Sequence, residues 1–174
     1  NLLIDPHALE DADVWADVRA LVLQNEIPVA VNLAAAGAAR ARGIPVLLNA
    51  APAREVPRDL RVLVDVLVVN AVEAEMMGAA EVCCLASAAD AAKLLADRFD
   101  CVVVTAGGKG LAAWTSDDEA LVLPAEKVEV VSSHGAGDAF IGALAADILG
   151  GATFADSCKR ASIAASRHVA GLGI

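Results

Sequence analysis

The stretch Ser132–Gly151, SSHGAGDAFIGALAADILGG, sets Gly135 and Gly137 directly ahead of a carboxylate, Asp138, and of an apolar run with helical spacing. A helix start leaves backbone N–H groups unpaired, and the helix dipole adds partial positive charge there. Glycines let a ligand approach such a turn closely. Together these features could hold a phosphate or a developing negative charge. Asp138, in the first turn, could accept a proton from an attacking hydroxyl. The same spacing fits equally well a tight turn whose acid only complements the dipole.

Three further segments carry polar groups of the same kind. TAGGKG, Thr105–Gly110, could cradle nucleotide phosphates with Gly107, Gly108 and Gly110. It lacks the Walker spacing, and a plain glycine turn would read the same way. NAVE, Asn70–Glu73, is a capping box. It is also a polar pair able to orient Mg²⁺-bound water near phosphates. LQNEIP ends another strand with Glu26, and a lone Glu at a strand end is ordinarily just solvated. His134 reads as a loop residue, with no nucleophile in a recognised elbow beside it. His7 and His168 fall in no pattern, and Trp15 and Trp114 read as packing residues.

These segments need elements to hold them, and the chain alternates β-type and alanine-rich helical runs. Strands are expected at Arg19–Gln24, Ile44–Asn49, Val64–Asn70 and Cys101–Thr105. Helices are expected from Pro28 to Gly43, over AVEAEMMG, from a Ser87 cap onward, and over Gly137–Leu149 and Phe154–Val169. AAPAREVPRD reads as a loop. GLAAWTS, EALVLP and KVEVV read as further strands in antiparallel pairing. Continuous apolar strands alternating with helices predict a doubly wound, mainly parallel α/β sheet with helices on both faces, a Rossmann-like three-layer domain over residues 1–174. Ligands bind beyond the carboxyl ends of such strands, where the four polar segments fall.

Composition narrows the function further. The chain has 174 residues, 57% of them hydrophobic, and a net charge of −10. That charge opposes nucleic acid and anionic membrane surfaces as partners. With 3% aromatic residues and no Tyr, stacking platforms for single strands are not expected. Cys83, Cys84, Cys101 and Cys158 form no C-x-x-C pair, and reduced, mostly buried thiols in a cytoplasmic protein are expected. The start NLLIDPHALEDAD has no basic region and no long apolar run, so it does not read as a signal peptide.

The order of LVLQNEIP, VLLNAAPAREVP, DVLVVNAVEAEMMG, VVVTAGGKG and GAGDAFIGAL resembles the ribokinase-like sugar kinases, or phosphofructokinase B family, over about Val14–Arg167. The resemblance implies an ATP- and Mg²⁺-dependent kinase acting on a sugar primary hydroxyl. NAAPAREVP and Q-x-E-x-P point to the branch that phosphorylates ribose; another sugar or a nucleoside is the alternative acceptor, and a non-catalytic nucleotide-binding domain the alternative role. By resemblance, Asp138 is the base that also meets the sugar. Gly135, Ala136 and Gly137 form the anion hole. Asn70, Thr105, Gly107, Gly108, Gly110 and Cys158 lie on the ATP side, Glu73 near the metal, and Glu26 against sugar hydroxyls. Ser132 replaces the family acid that helps hold a monovalent cation, which puts a K⁺ site in doubt. Lys159 and Arg160 stand where small residues are usual and imply an altered adenine side. The resemblance also implies that the chain is the C-terminal, nucleotide-binding part of a longer kinase. The missing half would carry a lid that often makes homodimers.

Overall fold

The structure is a computed structural model that describes residues 8–9 and 11–172. His7 lies outside them. After a 3-10 turn at Ala12–Trp15 come β1 (Leu21–Gln24), α1 (Val29–Arg40), β2 (Val46–Asn49) and α2 (Arg58–Arg61). There follow β3 (Val66–Asn70), α3 (Ala71–Met76), α4 (Leu85–Ala96) and β4 (Cys101–Thr105). A second 3-10 turn at Gly107–Lys109 leads into β5 (Gly110–Thr115) and β6 (Ala120–Pro124), and α5 (Ala136–Leu149) and α6 (Phe154–Val169) complete the order.

The six strands form one sheet in chain order, with β1 to β4 parallel and β5 and β6 added antiparallel. Successive strand residues face opposite sides, and the cores divide accordingly. Val46, Leu48, Leu67, Val69, Val102 and Val104 pack with the alanine faces of α1 and α4 and with Leu60 of α2. Leu47, Val66, Val68, Val103 and Leu111 pack with Phe140, Ile141 and Leu144 of α5 and Ala161 of α6. Burying each of these larger side chains stabilises the fold by about 1.5–3 kcal/mol relative to exposure. The expected α/β architecture, with helices on both faces, is the observed one. No helix among the described residues is long and apolar enough to cross a membrane.

The register brings a polar row to one edge. Gln24 pairs with Asn49, and Asn70 with Thr105, so all four parallel strands end on polar side chains at their carboxyl ends. Buried Asn32 of α1 donates from Nδ2 to the carbonyl oxygen of Gln24 (2.8 Å), and buried Asn25 donates to that of Ala50 (3.1 Å). These bonds satisfy backbone acceptors that the ladder no longer reaches.

Local expectations are corrected in four places. The stretch read as the loop AAPAREVPRD enters a single helical turn at Arg58, with Pro57 as its N-cap. KVEVV forms no strand: the chain leaves the sheet after β6, which stays its edge strand, and the segment borders a cleft instead. Helix α4 begins before Ser87: Cys84 is the N-cap, and Ser87 is the third helical residue, closing the capping box. The thiols are not mostly buried, since Cys83 and Cys84 are exposed, Cys101 is half-buried and only Cys158 is buried.

Gly110 starts β5 at φ 121°, where a Cβ would lie 2.0 Å from the carbonyl oxygen of Leu123. Both the backbone conformation and the closeness of β6 demand glycine. Gly110→Ala is expected to cost about 3 kcal/mol or more, read as a lower urea midpoint in equilibrium unfolding.

Candidate active site

A cleft of about 570 Å³ opens at the carboxyl edge of the sheet. Its floor is Asn49, Val68, Val69 and Asn70, and one wall is Thr105, Gly107, Gly108 and Gly110. Ala136, Gly137 and Phe140 of α5 border it, and Ser162, Ala165, Ser166 and Val169 of α6 close another side. Lys127, Val128 and Val130, from the stretch expected as a strand, form a further wall. Of the residues picked from the sequence, the structure gathers Asn70, Glu73, Thr105, Gly107, Gly108, Gly110, Ala136 and Gly137 around this one space.

The helix start is built from both ends. Gly135 is the N-cap of α5 at φ 75°, a left-handed conformation that glycine adopts without strain. A Cβ there would approach His168 Nε2 to 3.0 Å. The imidazole Nε2 of His168 donates to the carbonyl oxygen of His134 (2.9 Å); a carbonyl can only accept, which fixes the proton on that nitrogen. The N–H groups of Val131 and Ser132 both donate to the carbonyl oxygen of Val169. So α6 holds the loop that enters α5. The Ala136 N–H reaches Ser133 O at 3.4 Å, and Ala139 donates to Gly135 O. The N–H groups of Gly137 and Asp138, between them, have no acceptor among the described residues. Unpaired N–H groups at a helix start suit an anion.

Asp138 sits in the first turn of α5 and is exposed. Gln24 Nε2 donates to its Oδ1 (3.1 Å), which ties the acid to the end of β1 and leaves Oδ2 for other contacts. Gly137 lies over β2: a Cβ there would be 4.0 Å from Asn49 Nδ2. The acid therefore stands beside the cleft, above the ends of β1 and β2, rather than lining it. Glu26 is exposed in the turn just beyond β1, on the same side as Asp138.

Asn70 and Glu73 form the full capping box. Asn70 Oδ1 accepts from Glu73 N–H (2.9 Å), and Glu73 Oε2 accepts from Asn70 N–H (2.8 Å). Glu73 is 5% exposed yet lines the cleft, with Oε1 unpartnered among the described residues. The structural role and the cleft position coexist in one residue. Among the described residues no group of three or more His, Cys, Asp and Glu is placed to hold a metal ion.

Cys158 is a correction. It is wholly buried in the core between α6 and the sheet and lines no part of the cleft. Burial pushes its thiol up to about 12. On α6 the residues that reach the cleft are Ser162, Ala165, Ser166 and Val169, one face of the helix beyond Cys158. Lys159 and Arg160 also leave the cleft unaltered: they pair outward with Asp156 (3.3 Å) and with Asp147 of α5 (2.7 Å). Sequence reasoning missed Gln24, Asn49 and His168 as site residues. The polar ends of β1 and β2 were the available signal for the first two; His168 had none.

Of the exposed thiols, Cys84 is lowered to about 7, chiefly by hydrogen bonds from Ser87. Burial pushes Cys101 up to about 11. A depressed pKa means that thiolate is populated above pH 7. Native-state alkylation at Cys84 should thus rise with a midpoint near pH 7, and Ser87→Ala should move that midpoint upward. Cys158 should label only after unfolding, as followed by peptide mass spectrometry.

The cleft, the unpaired N–H groups at the start of α5 and the Asp138 carboxylate thus meet at one edge of the α/β sheet. The chain belongs to the pfkB family of carbohydrate kinases, whose profile matches residues 5–173. It is 33% identical to a ribokinase of Staphylococcus aureus over 77% of this chain and 43% of that protein. It is 34% identical to a deoxyribokinase of Salmonella typhi, over 88% and 50% respectively. Among solved structures, the Arabidopsis thaliana ribokinase complexed with ribose and ATP superposes with a TM-score of 0.81 at 26% identity, covering 91% of this chain and 53% of that one. The chain spans about half, or less, of the length of these relatives.

Proposed function

We propose that this chain supplies the nucleotide side and the catalytic base of an ATP-dependent sugar kinase that phosphorylates the primary hydroxyl of ribose. The observation that carries the reading is the placement of Asp138 beside two unpartnered N–H groups, at the mouth of a glycine-walled cleft. Asp138 would take the proton of the sugar hydroxyl as its oxygen attacks. The N–H groups of Gly137 and Asp138, with those of Gly135 and Ala136 next to them, would meet the charge on the transferring phosphoryl group. Gln24 would orient the carboxylate through Oδ1. Glu26 would bond sugar hydroxyls at the same end of the sheet.

The cleft fits ATP in its chemistry. Gly107, Gly108 and Gly110 wall it without side chains, Thr105 adds a hydroxyl, and Lys127 brings a positive charge. Mg²⁺ commonly binds through one or two carboxylates plus substrate phosphates. Glu73, with one free oxygen facing no other partner, suits that role, and the metal would help neutralise phosphate charge. Ser132 in place of the family acid makes turnover without added K⁺ the expected behaviour. Exposed free thiols at Cys83 and Cys84 suit a reducing compartment such as the cytoplasm.

A second acceptor, 2-deoxyribose, is favoured by the similarity to a deoxyribokinase over 88% of the chain. A coupled ADP-release assay on the intact protein separates the two by their kcat/KM values. Asp138→Asn is expected to lower kcat by about 10²–10⁴-fold while nucleotide affinity changes little. Wild-type protein that binds ATP but turns over no sugar would overturn the catalytic reading. Gln24→Ala should lower kcat less than Asp138→Asn while leaving KM for ATP unchanged, as expected of a positioning residue.

A further inference from the structure

A second cavity, of about 370 Å³, lies apart from the cleft, between α2, the C-terminal end of α3 and the residues that follow α4. Glu55, Val56, Arg61, Met76, Met77 and Arg98 line it, and none of them lines the cleft. The two spaces sit at opposite ends of α3: the Asn70–Glu73 capping box at one, Met76 and Met77 at the other.

The polar groups in this cavity are poorly matched by the protein itself. Arg61 is half-buried, and its Nε is buried with no hydrogen-bond partner among the described residues. Leaving such an N–H unpaired is costly, and a charged donor more so. Arg98 is held at the rim by an Nη2 bond to the carbonyl oxygen of Met77 (2.8 Å), which leaves the rest of its fork open. Neither arginine forms an ion pair among the described residues, although Glu55 lines the same cavity. In a chain of net charge −10, two unpaired guanidinium groups converging on one cavity are a local reversal of sign.

We propose that this cavity is a second ligand site, for a small phosphorylated polyol. Guanidinium forks match phosphate oxygens in geometry as well as charge. Glu55 accepts from a hydroxyl of the same ligand, and Val56, Met76 and Met77 cover its carbon skeleton. The volume is at the small end of ordinary ligand sites and larger than an inorganic anion needs. The site is independent of the phosphoryl-transfer reading.

The test is isothermal titration of the intact protein with sn-glycerol 3-phosphate and, separately, inorganic phosphate. Wild type should bind glycerol 3-phosphate at one saturable site, and inorganic phosphate more weakly. Arg98→Gln, a change at an exposed position, should weaken both by about tenfold or more. Arg61→Gln combined with Arg98→Gln should abolish both. Glu55→Gln should weaken glycerol 3-phosphate but spare inorganic phosphate. Nucleotide affinity and thermal midpoint, measured on each variant, report the cleft and the fold separately. No binding to wild type, or binding that Arg98→Gln leaves unchanged, overturns the proposal.

Discussion

The hold of α6 on the loop entering α5 is the constraint on which the site depends. Two N–H groups, from Val131 and Ser132, converge on the carbonyl oxygen of Val169, and His168 fixes the carbonyl of His134. Only then can Gly135 take its left-handed turn and present the N–H groups of Gly137 and Asp138 without partners. Helix α5 in turn is pinned by Phe140, Ile141 and Leu144 against the sheet face formed by Leu47, Val66, Val68 and Val103. The N-terminal end of the helix is thus aimed by packing on one side and by backbone hydrogen bonds on the other.

The second support is the carboxyl edge of the parallel strands. Gln24, Asn49, Asn70 and Thr105 stop the apolar runs of β1 to β4 with polar side chains, and three of them are spoken for structurally as well. Gln24 bonds Asp138, Asn70 caps α3, and Thr105 Oγ1 donates to the carbonyl oxygen of Val69 at 3.4 Å. Residues of this kind serve stability and chemistry at once, which keeps a polar edge rigid enough to position a ligand. The close approach of Gly110 to β6 does the same for the glycine wall, because no side chain intervenes between the turn and the neighbouring strand.

Much of this was legible in the residues. Apolar runs of strand length between alanine-rich helical runs carry the α/β order, and GAGD before an apolar run carries the glycine turn and the helix start, since both rest on local backbone chemistry. What misled was local pattern without a partner. KVEVV alternates like a strand, but the chain leaves the sheet after β6 and the segment becomes a cleft wall. Ser87 has the chemistry of a cap, yet its hydroxyl accepts from the N–H groups of both Cys83 and Cys84, so the helix starts earlier. Cys158 shares the helix face of Ser162 and Ala165, but it lies a turn nearer the start of α6, where that face is covered by the core and not by the cleft.

The sequence by itself determined the elements, the glycine turns and the acid at the head of α5, because spacing, φ preference and helix-end chemistry act over a few residues. It also carried the family resemblance. Only the tertiary structure decided that Gln24 holds Asp138 across 114 positions, that His168 braces the glycine loop, and that Arg61 and Arg98 face one cavity. Such contacts depend on strand register and helix rotation, which are set by how the two cores pack and not by the identity of neighbours along the chain.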